Sequence, residues 1–157
     1  MKHIFISGLN GFIGMHLANF FSSMNYEVYG LSRDLKLFLY SHKSGLSKKS
    51  INIEEISVDK RHSFFVNCCS KEFNNPELLN FYKINFLHSI KLANFCAENK
   101  INHFINLATT LDPESSLYAN SKNLFSSQLN YLSNFLDLKS LNLFLEPIFG
   151  PGIKPPR

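Results

Sequence analysis

The hydrophobic positions of this chain fall into two alternating patterns. Short apolar runs are typical of strands buried in a parallel sheet, whereas longer stretches with apolar residues three and four positions apart are typical of helices. A run at residues 3–7 is followed at once by a helical pattern from Phe12 to Asn25. A strand, a glycine-containing turn and a helix in this order predict the beginning of a βαβ unit.

The same alternation continues along the rest of the chain. It predicts an α/β fold, in which a parallel sheet carries helices on both faces. The expected architecture is a Rossmann-like, doubly wound sheet. Further strands are predicted at residues 26–32, 51–58, 64–68, 101–108 and 141–145, and further helices at 76–98 and 118–136.

One stretch of the chain does not fit this scheme. Residues 59–63 are too few for the crossover that joins two parallel strands. Either a crossover helix has been lost and the strands on its two sides form an irregular pair, or residues 51–60 are the helix and the third strand is Lys36 to Tyr40. The sequence leaves both alternatives open, so we predict an incomplete sheet with one shortened crossover unit.

Composition and charge set the scale of the protein. With 157 residues, 45% of them hydrophobic, the chain can build one domain with a sizeable core, so we expect residues 1–157 to form a single domain. The formal charge is +4, and the basic run from His42 to Lys49 lies among serine and glycine without aromatic residues. This run is typical of a solvated loop and argues against nucleic-acid binding. A modest positive charge suits an anionic, phosphate-bearing ligand.

The cysteines and the apolar segments indicate in which cellular compartment the chain is expected. Cys68 and Cys69 are neighbours, and no cysteine pair has the spacing of a disulfide framework or a zinc knuckle. We therefore expect no metal site and a reducing compartment, with the cytoplasm as the expected location. No window supplies the ~18 apolar residues of a membrane span, so no membrane partner is expected. The two adjacent thiols are expected to be small core residues.

Three glycines stand at the junction of the first strand and the first helix, in the segment Gly8-Leu9-Asn10-Gly11-Phe12-Ile13-Gly14. Glycine permits the positive φ of a tight turn, and a Cβ would hold the backbone N–H groups away from phosphate oxygens. The last glycine allows close packing of helix and sheet. The candidate cofactor-binding residues are therefore Gly8, Gly11, Phe12, Ile13 and Gly14.

This glycine spacing, with Phe-Ile inside it, resembles the fingerprint of the extended short-chain dehydrogenases/reductases. In that family the residue that ends the second strand contacts the adenosine ribose, and a basic side chain there favours NADP. The corresponding segment here contains Arg33, which can pair with a 2′-phosphate. The resemblance therefore implies NAD or NADP as the cofactor, with NADP slightly preferred, while Asp34 keeps NAD open.

Tyr118 and Lys122 open a predicted helix and are spaced i, i+4, so they share one helical face. The helix follows the fifth predicted strand, where the family it resembles has its active-site helix. A tyrosine is too weakly acidic to exchange a hydroxyl proton near neutral pH unless a nearby positive charge stabilises the phenolate. The resemblance implies that Tyr118 is the acid/base, and that Lys122 tunes it and binds the nicotinamide ribose.

A hydroxyl residue is expected at the end of the fifth strand, where the family carries a Ser or Thr that contacts the reacting oxygen. Alignment on the strand selects Thr109, with Thr110 as second choice. Eight residues separate Thr109 from Tyr118, fewer than in the family, so Ser115 or Ser116 can also approach the site.

The resemblance extends over essentially the whole chain. Asn85 matches a family asparagine near the start of the long helix, and the segment at 145–152 is similar to the one that follows the last strand, except that Glu146 replaces an arginine. Extended members continue into a substrate domain, which we expect to be absent here.

The resemblance implies an NAD(P)-binding domain of a nucleotide-sugar epimerase or dehydratase, with hydride transfer through the nicotinamide. The alternative is a truncated, non-catalytic dinucleotide-binding remnant. A homodimer or a completing partner chain is possible under either interpretation.

Overall fold

A computed structural model of the chain describes residues 2–56, 63–70, 78–148 and 150. Within these ranges seven strands form one sheet in the order β4-β3-β2-β1-β5-β6-β7. The strands are β1 (His3–Ser7), β2 (Glu27–Leu31), β3 (Leu37–Ser41), β4 (Gly45–Leu46), β5 (Phe64–Asn67), β6 (His103–Thr109) and β7 (Lys139–Leu145). The helices are α1 (Phe12–Ser23), α2 (Leu78–Phe81), α3 (His88–Glu98) and α4 (Leu117–Leu136), with a π-helical turn at Tyr82–Leu87 between α2 and α3.

The sheet is parallel in its centre and antiparallel at one edge. β2, β1, β5, β6 and β7 are parallel to one another, as expected for a Rossmann-like fold. β3 pairs antiparallel with β2, and β4 pairs antiparallel with β3. The α/β prediction is confirmed, but the sheet is mixed rather than wholly parallel.

The third strand, β3 at Leu37–Ser41, matches the alternative prediction of a strand at Lys36 to Tyr40. The prediction of a strand at 51–58 is wrong for the part of this range that the structure describes. Residue Ile51 makes only an isolated bridge, to Leu37, and residues Ile53–Glu55 form a short 3-10 turn in place of the alternative helix. Residues 57–62, like the predicted helix start at 76, lie outside the described residues. Because β2 and β3 form a hairpin, no crossover is needed between them.

A tight turn at residues 32–36 makes this hairpin possible. The Ser32 N–H donates to the Lys36 carbonyl at 2.9 Å, and Leu35 adopts a φ of 58°. The basic run at 42–49 is not a free loop either, since its Gly45 and Leu46 form β4. The hairpin therefore joins β2 directly to β3 at this edge of the sheet.

Successive residues of the central strands point to opposite faces, and both faces are covered. Phe5, Phe65 and Phe104 pack with α3 and α4 on one face. Ile4 and Ile6 pack with Ala18 of α1 on the other face. No helix in the described part of the chain is long and apolar enough to cross a membrane.

Candidate functional site

The turn after β1 brings two stretches of backbone into direct contact. Gly8 has a φ of +68°, and a Cβ placed on it would lie 2.9 Å from the carbonyl carbon and oxygen of Cys68 and from the nitrogen of Cys69. Any side chain at Gly8 would therefore push β1 and β5 apart at their carboxyl ends. The turn is closed by the Gly11 N–H, which donates to the Gly8 carbonyl at 2.9 Å.

Gly14 brings α1 onto the same turn. A Cβ on Gly14 would lie 2.3 Å from the Gly8 carbonyl oxygen, closer than real side chains come. Gly11, the residue before α1, has no side chain to cap the helix, so the first-turn N–H groups have no partner within the helix. The amides that follow Gly11, including those of Phe12 and Ile13, are therefore suited to an anionic ligand. The side chain of Ile13 is used elsewhere, because it packs against the core beneath α1.

Lys122 is buried on α4, with 4% of its surface exposed. Its Nζ donates a short hydrogen bond to the Leu107 carbonyl oxygen of β6. Burial lowers the pKa of Lys122 from 10.5 to about 8, although the neighbouring thiols of Cys68 and Cys69 act to raise it. The ammonium therefore lies at the carboxyl end of the sheet, on the side where the glycine turn meets β5.

Cys68 and Cys69 connect the glycine turn with Lys122. Both are partly exposed and follow β5 directly. Burial raises the pKa of Cys68 to about 12 and raises the pKa of Cys69 as well, while Lys122 acts to lower both. They are therefore neutral thiols lining the site, which the sequence indicated only as small core residues. No group of three or more potential metal-ligand side chains (His, Cys, Asp or Glu) occurs among the described residues.

Tyr118 lies in the first turn of α4, half-buried, one helical turn before Lys122. Asn85, 1% exposed, reaches the same helix, since its Nδ2 donates to Ser121 Oγ at 3.0 Å. Asn85 belongs to the π-helical turn, and such turns occur frequently at functional sites. Nothing in the sequence pattern distinguishes this turn from an ordinary helix.

The candidate hydroxyls all engage the backbone. Thr109 ends β6 and its Oγ1 accepts a hydrogen bond from the Leu111 N–H at 3.2 Å, which leaves the hydroxyl able to donate. Thr110 and Ser115 donate to the carbonyls of Leu145 and Asp112. Ser116 caps α4 by accepting from the Ala119 N–H.

Arg33 lies in the exposed turn after β2, at the edge of a cavity of about 400 Å³. It acts to lower the pKa of Cys69 on one side, and burial together with Arg33 and Lys91 lowers the pKa of His88 on the other. Arg33 therefore acts electrostatically on Cys69 and also lines the cavity. The cavity is lined by Arg33, Lys83, Ile84, Leu87, His88 and Lys91.

Comparison with known proteins gives consistent matches. The sequence profile of the "NAD dependent epimerase/dehydratase family" matches residues 4–157. The CDP-abequose synthase of Salmonella typhimurium is 21% identical over 166 residues, which cover 96% of this chain and 54% of that protein.

Solved structures show the same fold. The UDP-Glc/GlcNAc 4-epimerase from Campylobacter jejuni has a TM-score of 0.64 at 20% identity, over 92% of this chain and 53% of that one. The UDP-glucuronic acid 4-epimerase from Bacillus cereus in complex with NAD has a TM-score of 0.67 at 14% identity, over 91% and 56%. The chain spans about half the length of these relatives.

Replacing the buried ammonium by Lys122→Met should stabilise the fold at neutral pH. Because the folded pKa of about 8 lies below the unfolded 10.5, the charged lysine costs stability below pH 8, and the cost disappears as the pH rises to 10.5. The variant's advantage in unfolding free energy should be larger near pH 7 than near pH 10 by about 2–3 kcal/mol. Urea denaturation at both pH values measures this difference.

The matched control is Lys139→Met, which removes an exposed lysine at the start of β7. It should show no pH-dependent gain of this kind. An equal advantage of Lys122→Met at both pH values would mean that the Lys122 ammonium is not buried.

Proposed function

The chain belongs to the NAD-dependent epimerase/dehydratase family, and on that premise we propose that residues 1–157 form an NAD(P)-binding domain working in nucleotide-sugar epimerisation or dehydration. The observation that carries the proposal is the contact of Gly8 and Gly14 at the start of α1. This contact leaves the first-turn amides of α1 open to a diphosphate. The buried ammonium of Lys122 lies nearby, next to Cys68 and Cys69.

We propose that Tyr118 is the acid/base and that Lys122 tunes it. With a pKa of about 8, Lys122 remains mostly protonated at neutral pH, so its charge can favour the phenolate of Tyr118. Thr109, which can still donate from its hydroxyl, would orient the reacting oxygen. Bound NAD(P) would supply the hydride chemistry.

A nucleotide sugar is the proposed substrate class, because the relatives named above carry CDP- and UDP-sugars in their names. Since those proteins are about twice as long, part of the sugar site is proposed to come from residues beyond these 157, or from a second or completing chain. We also propose the cytoplasm as the location, because all three cysteines are free.

NADP is the proposed preferred form of the cofactor. Arg33, Lys83 and Lys91 bring three cations to one cavity, and no acidic side chain is among the described residues that line it. A 2′-phosphate on the adenosine ribose would relieve the repulsion between these cations and could accept bidentate bonds from Arg33.

The second candidate is a dinucleotide-binding chain without catalysis of its own. It is favoured by Lys122, whose Nζ is already bonded to the Leu107 carbonyl, and by the engagement of each candidate hydroxyl with the backbone. Glu146, where the family carries an arginine, fits the same interpretation.

Binding should depend on the amides at the start of α1. NADP or NAD should raise the melting temperature of the unmodified chain. Gly11→Ala should weaken binding about tenfold or more, because each lost hydrogen bond to a charged group costs about 1.5–3 kcal/mol. Gly11 has a φ of −80°, which alanine adopts readily, but a Cβ there would lie 3.1 Å from the Gly8 carbonyl oxygen, so the ligand-free melting temperature should fall modestly.

Gly45→Asn, in the β3–β4 hairpin, is the control for removing a glycine. A Cβ there meets nothing within 4 Å, and asparagine tolerates the φ of +72°. If the unmodified chain, Gly11→Ala and Gly45→Asn bind the cofactor equally well, the glycine turn after β1 is not part of the cofactor site.

The cationic cavity predicts discrimination between two fragments of the cofactors. Titration calorimetry at low salt should show 2′,5′-ADP binding about tenfold or more tighter than 5′-AMP, which differs from it only by the 2′-phosphate. Lys83→Gln with Lys91→Gln should reduce this preference without changing the affinity for 5′-AMP. Lys139→Gln, at the opposite edge of the sheet, should change neither. Equal affinities in the unmodified chain would leave NAD as the cofactor.

Catalysis by Tyr118 separates the two candidate functions. With cofactor and a CDP- or UDP-sugar present, Tyr118→Phe should slow the appearance of reduced-nicotinamide absorbance by about a hundredfold or more. Tyr131→Phe, at an exposed tyrosine of the same helix, should have no effect. If the unmodified chain binds cofactor but neither it nor these variants show turnover, these 157 residues do not catalyse on their own, as the non-catalytic candidate requires.

A further inference from the structure

A row of polar side chains crosses the sheet directly beneath the site. Ser7, Asn67, Asn106 and Asn142 are paired in register on β1, β5, β6 and β7. Ser7 Oγ donates to Asn67 Oδ1 at 2.8 Å, Asn67 Nδ2 to Asn106 Oδ1 at 3.2 Å, and Asn106 Nδ2 to Asn142 Oδ1 at 2.9 Å. We call these four residues the amide ladder.

The amide ladder also holds the two helices that cover this face. Asn67 Nδ2 donates to Ser89 Oγ of α3 at 3.0 Å. Asn106 Nδ2 donates to Ser126 Oγ of α4 at 3.2 Å, and Asn142 Nδ2 donates to the Ser126 carbonyl at 2.9 Å. Ser126 is thus bonded to two residues of the ladder and is its link to α4.

Core packing does not require this row to be polar. Two residues earlier on three of the same strands, and on the same face, the chain places Phe5, Phe65 and Phe104. Asn67 and Asn106 are fully buried, and burying an amide costs free energy unless every bond is made. An apolar row would fill this layer without that requirement, so the amides indicate a demand other than stability.

Three of the four ladder residues stand immediately before a residue of the candidate site. Gly8, Cys68 and Leu107 follow Ser7, Asn67 and Asn106. Leu107 supplies the carbonyl that accepts from Lys122 Nζ, while Ser126 Oγ donates to the Lys122 carbonyl at 3.0 Å. The backbone carbonyl of Lys122 therefore accepts a hydrogen bond from Ser126, and its ammonium donates to Leu107, the residue after Asn106.

We propose that the amide ladder is a positioning device for the dinucleotide site, and that Ser126 transmits it to α4. The ladder fixes the register between α4 and the strands, so that the ammonium of Lys122 reaches the Leu107 carbonyl beside Cys68 and Cys69 instead of turning toward water. Ser126 and the asparagines are positioning residues, since they act through Lys122. This inference rests on the proposed function of the chain.

Ser126→Ala tests the ladder, and Ser133→Ala is its matched control. Ser133 lies two turns later on α4, where its Oγ likewise bonds the carbonyl four residues earlier, at Leu129, and a strand side chain, Ser140. Both variants lose one helix-to-strand hydroxyl. Only Ser126 is connected to Lys122.

The first measurement follows the burial of Lys122 without any ligand. The measured quantity is the ratio between the unfolding equilibrium constants of the chain with Lys122 and of the chain with Lys122→Met, both in the same background. With a folded pKa of about 8, this ratio should change on the order of 50-fold between about pH 7 and pH 10. Because Lys122 acts to lower the pKa of Cys68 and Cys69, part of this change comes from the thiols, and the Ser133→Ala background serves as the reference for that part. This pH-dependent change in the ratio should be at least about fivefold smaller in the Ser126→Ala background and should keep its size in the Ser133→Ala background.

The second measurement is NADP affinity by calorimetry. Ser126→Ala should weaken binding about fivefold or more, while Ser133→Ala leaves it unchanged. Asn142→Leu, which breaks the ladder from β7, should reproduce Ser126→Ala and serves as the second variant should Ser126→Ala not fold.

Two results would overturn the inference, and they are distinguishable. If Ser126→Ala and Asn142→Leu behave like Ser133→Ala while the unmodified chain binds NADP, the ladder has no positioning role and the proposed function stands. If the unmodified chain binds neither NADP nor NAD, the proposed function fails, and the ladder's role in binding fails with it.

Discussion

At Gly8 three pieces of backbone come closer together than any side chain would allow. The end of β1 touches the end of β5 through Cys68, and α1 comes down onto the Gly8 carbonyl because Gly14 also lacks a Cβ. This contact joins the first helix, the turn and the centre of the parallel sheet. It leaves the first-turn amides open at the edge where parallel strands end, the usual location of ligands in open α/β sheets.

The layer beneath this contact is costly to fold, which fits its proposed role in holding a dinucleotide. Lys122 keeps an ammonium almost out of water, and a row of amides replaces the aromatic packing found two residues earlier. The aromatic core supplies the stability that this layer does not, because Phe65 and Phe104 stack at 5.3 Å and Phe125 of α4 meets Phe104 edge-on. The aromatic core and the proposed site therefore occupy successive layers of the same strands.

The sequence was sufficient for those elements whose pattern is carried by burial. β1, α1 and α4 were predicted to within a residue or two, because their periodicity follows from packing on one or both faces. The β2–β3 hairpin was not predicted as such, since its turn has no glycine and relies on Leu35 at a positive φ, a conformation that leucine rarely adopts. Partial burial of Leu35 against the core offsets that strain.

At the candidate site the glycines and the Tyr118–Lys122 spacing could be recognised because each has a local chemical reason. The π-helical turn at Asn85 and the pairing of Asn67 with Asn106 could not, because both depend on register between segments distant in sequence. The contact of Lys122 with Leu107 is of the same kind. Spacing along the chain indicates which side chains share a face, but not which backbone atoms they meet.

The most direct test of the account is an amide NMR titration of the unmodified chain with NADP. The account predicts saturable shifts at Gly8, Gly11 and Gly14, where the diphosphate would bind, together with shifts at Leu107 and Lys122 across the cysteine pair. Shifts confined to other parts of the chain, or no shifts at saturating cofactor, would contradict it.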